Sequence, residues 1–202
     1  MMKLGILASH TGTNFQSILD ACTEGVLAAR PVVAISNNST SMALQRAESA
    51  GVPTFHLSGK THPRTEDLDM AILDTLRDHQ AELVVLVGYM KKLGPATLEH
   101  YRGKIINIHP ALLPKYGGKG MHGINVHKAV LASGDRESGP SIHLVTSEYD
   151  AGPVIAQTKL PVDADDTPES LAARVLIHEH QLLVETLVKI VDREIDLTPV
   201  SG

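Results

Sequence analysis

Cysteine is almost missing from this 202-residue chain: Cys22 stands alone, so neither an internal disulfide nor a thiolate metal cage can form. It shares an apolar helical face with Phe15, Ile18 and Leu19 and reads as a core residue rather than a nucleophile. Long hydrophobic runs are also absent, and nothing approaches the roughly 20 apolar residues of a membrane span. The opening Met1–Ser9 segment is too short an apolar run for a signal peptide and lacks a cleavage region. Positive charge is in short supply, with 18 Lys and Arg against 23 Asp and Glu and a net charge of -5. Nucleic acid and membrane surfaces need a positive field, so neither is an expected partner. A small anion needs only a few local donors and stays open. With 43% hydrophobic residues, the expectation is a cytoplasmic, metal-free, single-domain protein over residues 1–202, compatible with a monomer or a homodimer.

What is present is alternation. Short apolar runs at Leu4–Ala8, Pro31–Ile35, Val52–Leu57, Leu83–Val87 and Lys104–Ile108 are separated by helix-period segments ending near Gly25, Ala50 and His79. Continuous apolar strands between helices indicate a parallel sheet covered on both faces. The second half changes: Ser141–Val145 and Pro153–Thr158 flank a turn-rich segment, which predicts an antiparallel addition. A last helix starts at Thr167-Pro168, with threonine as N-cap and proline at the first helical position. The fold class is therefore α/β, a Rossmann-like doubly wound mixed sheet. Its first half, 1–100, would hold a mononucleotide or phosphate, and 101–202 would carry catalysis and the second ligand. Ligands of such sheets bind beyond the carboxyl ends of the strands.

After the first strand comes His10-Thr-Gly-Thr-Asn14. Free N–H groups at a helix start favour a phosphate, Gly12 permits close approach, and Thr13 and Asn14 add donors. No Gly-Lys-Ser/Thr follows, and one glycine does not make the three-glycine dinucleotide fingerprint, so a phosphate monoester fits best. The same residues also read as a helix start, because Thr13 and Gln16 have capping-box spacing.

After the fifth strand, Asn107 and His109 are two apart, so their side chains share a face while Ile106 and Ile108 point into the core. Pro110 keeps His109 extended. An amide N–H and an imidazolium N–H held there suit oxyanion stabilisation. Asp150 lies in the turn Asp150-Ala-Gly-Pro153, where it serves either turn chemistry or, if near His109, as the partner that keeps the ring charged and helps move a proton. The histidines offer no metal set: His178 and His180 diverge by about 200° on a helix. His122 and His127 lack a third ligand. Asp163, Asp165 and Asp166 read as a solvated acidic turn.

Gly12-Thr-Asn-Phe15, Asn107-Ile-His-Pro-Ala-Leu-Leu-Pro114, Ser141-Ile-His143 and Asp150-Ala-Gly-Pro153 resemble, in order, the motifs of the folate-dependent formyltransferases. The likeness covers nearly the whole chain and is nearest the members acting on glycinamide ribonucleotide. It implies 10-formyltetrahydrofolate as co-substrate and no metal. By resemblance, Gly12, Thr13 and Asn14 would hold the substrate phosphate and Glu179 its ribose hydroxyls. Arg64, Met90, Lys91, Lys92, Leu93 and Asn107 would contact the folate. Asn107, His109 and Asp150 would be the catalytic set, with Asp150 holding His109 charged, and a bell-shaped pH profile would follow. Two departures stand out: the segment Tyr116–Val126 is several residues longer than usual, and Lys91-Lys92 replaces an Arg followed by an apolar residue. A deformylase-like hydrolase and a catalytically silent nucleotide-binding module are the alternatives.

Overall fold

Alternation within the first strand sorts the core into two layers. In β1 (Met2–Leu7), Leu4 and Ile6 face one layer of helices and Leu7 faces the other. The computed structural model describes residues 1–197; residues 198–202, part of the expected domain, lie outside the described residues. The chain continues through α1 (Thr13–Thr23), β2 (Ala29–Ser36), α2 (Met42–Ser49), β3 (Thr54–His56), α3 (Thr65–Asp78) and β4 (Leu83–Leu86). It then runs through α4 (Pro95–His100), β5 (Ile105–His109), α5 (Ile124–Ser133), β6 (Glu137–Ser138) and β7 (Ser141–Leu144). It closes with β8 (Val154–Gln157), β9 (Leu160–Pro161) and α6 (Pro168–Val191).

A seven-stranded sheet has the order β3-β2-β1-β4-β5-β7-β8. The five strands β3 to β5 run parallel, β7 adds antiparallel to β5 and β8 antiparallel to β7, so the expected antiparallel addition is present. One apolar layer joins Phe15, Ile18, Leu19 and Ala47 with Leu183 and Leu187 of α6. The half-buried Cys22 packs against it, and burial raises its thiol pKa, in keeping with a core role. The opposite layer is built on Ile72, Leu73 and Leu76 of α3. Burying a side chain of this size stabilises the fold by about 1.5–3 kcal/mol. The sheet is thus rigid enough to fix what projects from its edge.

The helix termini bear out one reading and overturn another. Thr167 caps α6, accepting from the Ser170 N–H, and Ser170 returns the bond in a full capping box. At α1 the expected Thr13/Gln16 box does not form. Gly12 is the N-cap, in a left-handed conformation (φ 69°), and no side chain caps the helix. A Cβ on Gly12 would come within 2.7 Å of the Ala43 Cα, so α2 packs where only glycine fits. Gln16 is drawn away to Asp20 and Arg46.

Other differences are of extent. The expected Val52–Leu57 strand narrows to β3, while α4 and the pair β6–β9 are too short to show in periodicity. The long 117–126 segment resolves partly into α5. The acidic turn is not simply solvated: Asp163 and Asp166 lie 2.8 and 2.5 Å from the Arg174 guanidinium.

Candidate active site

A cavity of about 790 Å³ opens at the carboxyl edge of the sheet, lined by the 10–14 loop, residues 87–90, 107–110 and 118–124, and by His127, Asp150 and Glu179. A smaller cleft of about 70 Å³ lies beside it, lined among others by Lys91, Lys92, Leu93, His143 and Thr146. Tyr89, Asn107, Tyr149 and Asp150 line both and form the partition between them. The structure therefore brings Gly12, Thr13, Asn14, Met90, Asn107, His109, Asp150 and Glu179 to one cavity, and Lys91, Lys92 and Leu93 to its neighbour.

At one end, the uncapped start of α1 offers backbone N–H groups whose partial positive charge suits an anion. Asn14 donates through Nδ2 to Glu179 Oε2 at 2.6 Å, joining α1 to α6. Its own Oδ1 is buried without a hydrogen-bond partner. Burial pushes the Glu179 carboxyl pKa up, partly opposed by the Asn14 amide.

Chain leaving β4 has no regular structure over residues 87–94, so its shape depends on its neighbours. Ser9 holds the near end: its N–H donates to the Gly88 carbonyl at 3.1 Å, and its hydroxyl accepts from the Met90 N–H at 2.8 Å while donating to Asn37. Asp69 of α3 holds the far end, accepting from the N–H groups of Ala96 and Thr97 at 2.7 and 3.1 Å. Lys92 Nζ sits 5.7 Å above the Tyr149 ring.

Arg64 does not join this wall. It occupies the N-cap position of α3, 74% exposed, 3.7 Å from Asp67, and lines neither cavity. The smaller cleft draws on both halves of the chain, with Tyr89, Lys91, Lys92 and Leu93 from the first and His143, Val145, Thr146 and Glu148 from the second.

The partition gathers the polar groups of the site. Asn107 and His109 project together from β5, opposite Ile106 and Ile108, as their spacing predicts. β7 pairs antiparallel with β5, placing His143 opposite Asn107. His143 Nδ1 lies 2.9 Å from the Leu144 carbonyl oxygen, and its Nε2 lies 3.0 Å from the Asn107 amide nitrogen. This orients the Asn107 amide and leaves its second N–H for a ligand. The β7–β8 turn brings Asp150 in, 3.7 Å from His109 Nδ1 and 3.4 Å from His143 Nε2. Asp150 itself has φ 52°, strain of the kind that gathers at functional turns. Gly152 completes the turn: a Cβ there would lie 1.8 Å from the Leu144 carbonyl oxygen.

Three further contributors were given no role from the sequence, although His143 belongs to one of its motifs. Tyr116, with φ 56°, turns its carbonyl to accept the His109 Nε2–H at 2.8 Å. Gly118 N–H donates to Asp150 Oδ2 at 2.9 Å. His143 is the third. Its period-two spacing from Ser141 was a usable signal, whereas Tyr116 and Gly118 act through backbone and leave none.

Two opposing effects set the charge on the resting His109. Burial lowers its pKa, and although Asp150 and the Tyr116 carbonyl pull upward, the ring stays below the ordinary histidine value. Burial pushes the Asp150 carboxyl upward, but His143, His109 and the Gly118 N–H together outweigh it and hold it below the usual carboxylate range. At neutral pH the resting pair is thus a neutral imidazole beside a carboxylate. With Nε2–H committed to Tyr116, Nδ1 is the free lone pair.

A carboxyl-edge cleft with an amide donor, an imidazole and a carboxylate on a wall between two ligand spaces defines a group-transfer site. The chain belongs to the formyl transferase family, whose sequence model matches residues 2–187. It is 41% identical over 194 residues to the chloroplastic phosphoribosylglycinamide formyltransferase of Arabidopsis thaliana, covering 96% of this chain but 66% of that relative's length. With the phosphoribosylglycinamide formyltransferase of Escherichia coli (strain K12) it shares 38% identity over 181 residues, 90% of this chain and 83% of that protein. The crystal structure of glycinamide ribonucleotide transformylase 1 from Symbiobacterium toebii matches with TM-score 0.89 and 35% identity, covering 96% and 89% of the two chains. Among the described residues no helix is long and apolar enough to cross a membrane, and no group of three metal-ligating side chains gathers.

Proposed function

We propose that this protein transfers the formyl group of 10-formyltetrahydrofolate to the amine of glycinamide ribonucleotide, giving formylglycinamide ribonucleotide and tetrahydrofolate in purine biosynthesis. The observation that carries this reading is the shared partition. Asn107 and Asp150 line both ligand spaces, so two substrates can meet only across them. The names of the relatives agree with it. The phosphate lies on the N–H groups of Gly12, Thr13 and Asn14, and the ribose hydroxyls meet Glu179. The pterin packs against the 90–93 segment, with Met90 on the side of the large cavity and Lys91, Lys92 and Leu93 on the side of the smaller cleft. The reading places the phosphate end in residues 1–100 and the catalytic groups in the second half.

The bound folate supplies an activated formyl carbon. The free N–H of Asn107 donates to the formyl oxygen as negative charge grows on it. His109 Nδ1 accepts the proton released by the attacking amine, and Asp150 stabilises the imidazolium that results. His109 then returns the proton to the departing folate nitrogen. No covalent bond to the protein is needed.

Absorbance-monitored release of the formyl group from a 10-formyl folate analogue tests the reading. Release that requires glycinamide ribonucleotide is expected. Release without it would favour the hydrolase, and none at all the silent module.

Protonation gives a second check. A His109 acting first as base must be neutral, so kcat/KM is expected to fall as pH drops through the lowered histidine value, below 6.5. Asp150 raises the His109 pKa, so Asp150→Asn is expected to move this acid limb to lower pH. The substrate amine titrates identically for both proteins, so an unmoved limb would assign it to the substrate instead.

A further inference from the structure

His127, on the inner face of α5, is a buried group that the transfer as described leaves idle. It is 3% exposed, it lines the large cavity, and none of its ring atoms forms a hydrogen bond. Its Nδ1 is sealed away without a partner. A buried N–H left unpaired costs more than a buried lone pair, so the favoured tautomer carries its proton on Nε2. The neutral ring then has one N–H to offer, and the cavity is where a partner can come from. Burial and the nearby His109 both lower its pKa, so His127 stays neutral while His109 takes up a proton.

Its position selects the partner. α5 packs against α6, and the cavity wall runs from Glu179 through Leu176 and Ala172 of α6 to Ile124 and His127 of α5, then to His109. On the proposed reading, the ribose sits at Glu179 and the reacting amine at His109. The part of the substrate spanning that interval is its amide. We propose that His127 is a substrate-binding residue whose Nε2–H donates to this amide carbonyl, fixing the arm that carries the amine toward the formyl carbon. The contact rests on the proposed transfer activity and selects for an amide-linked amine over an alkylamine of the same length.

The test compares wild type, His127→Leu and His127→Gln on glycinamide ribonucleotide and on an analogue with the amide carbonyl replaced by methylene. Turnover of the natural substrate by wild type establishes the activity independently of His127. Leucine is expected to raise KM for that substrate about 10–100-fold, as for a lost buried donor, with the folate KM within about twofold. Glutamine, which keeps a donor at similar reach, is expected to recover most of this. On the methylene analogue, wild type and His127→Leu are expected to perform alike. Equal losses by His127→Leu on both substrates, or a parallel rise in folate KM, would overturn the contact. Should His127→Leu fail to fold, wild type alone decides: less than about threefold loss on removing the carbonyl overturns it as well.

Discussion

Asp150→Asn is expected to lower kcat by about 10²–10⁴-fold, the range associated with losing assistance to proton transfer. The substitution is nearly isosteric. An asparagine at φ 52° is as well tolerated as aspartate, and its amide oxygen still accepts the Gly118 N–H, so the turn should survive. What disappears is the negative charge 3.7 Å from His109 Nδ1. Burial already works against a charged ring there, and without Asp150 only the Tyr116 carbonyl is left to offset that cost when the amine gives up its proton. Steady-state kinetics should show a fall in kcat with both KM values within a few-fold. A fall confined to KM would make Asp150 a binding residue and sink its assigned role.

Asn107→Ala is expected to be nearly as severe, at about 10²–10³-fold in kcat, the loss typical of removing one oxyanion donor. Its effect should differ in kind, because Asn107 belongs to both ligand spaces and also donates to His143. Removing it takes away one of the two groups that meet His143 Nε2, the other being Asp150 at 3.4 Å, and unfolding by heat should register about 1 kcal/mol of lost stability. Asn107→Asp sharpens the test: it keeps the shape, removes both N–H donors and places a negative charge where negative charge develops. It should be at least as damaging as alanine. A loss under tenfold in both variants would move the oxyanion contact elsewhere.

Much of this arrangement could be read directly from residue order, for identifiable physical reasons. Buried parallel strands need apolar side chains on both faces, so Leu83–Val87 and Lys104–Ile108 announce themselves as continuous runs. Two polar residues interrupting the second run at a spacing of two must share a face, which marks Asn107 and His109. The approach of Asp150 to His109 is not written this way. It depends on β7 folding back against β5, a pairing between segments more than 30 residues apart. Thr13 and Gln16 had capping-box spacing, but the left-handed Gly12 pressed against Ala43 took the cap position. The charge on His109 cannot be read from residue order, because its sign depends on burial against a competing carboxylate. His127 was set aside for lack of a metal partner, and its burial appears only once α5 is seen packed on α6. Arg64 came from resemblance alone, and the local chain turns it outward.

The way Ser9 is held has a consequence for evolution. Each polar atom of this residue is engaged: its N–H by Gly88, its hydroxyl by Met90 and Asn37, and its carbonyl by the Asn38 side chain at 3.3 Å. It sits immediately before the loop on one side of the cavity and grips the irregular wall on the other. A lineage drifting toward a new acceptor can vary the exposed residues Lys91 and Lys92, whose side chains do not set the path of the chain. It cannot vary Ser9 without disturbing both walls together. New acceptors should therefore arise by exchanging side chains on a retained frame, and Ser9 belongs to the frame.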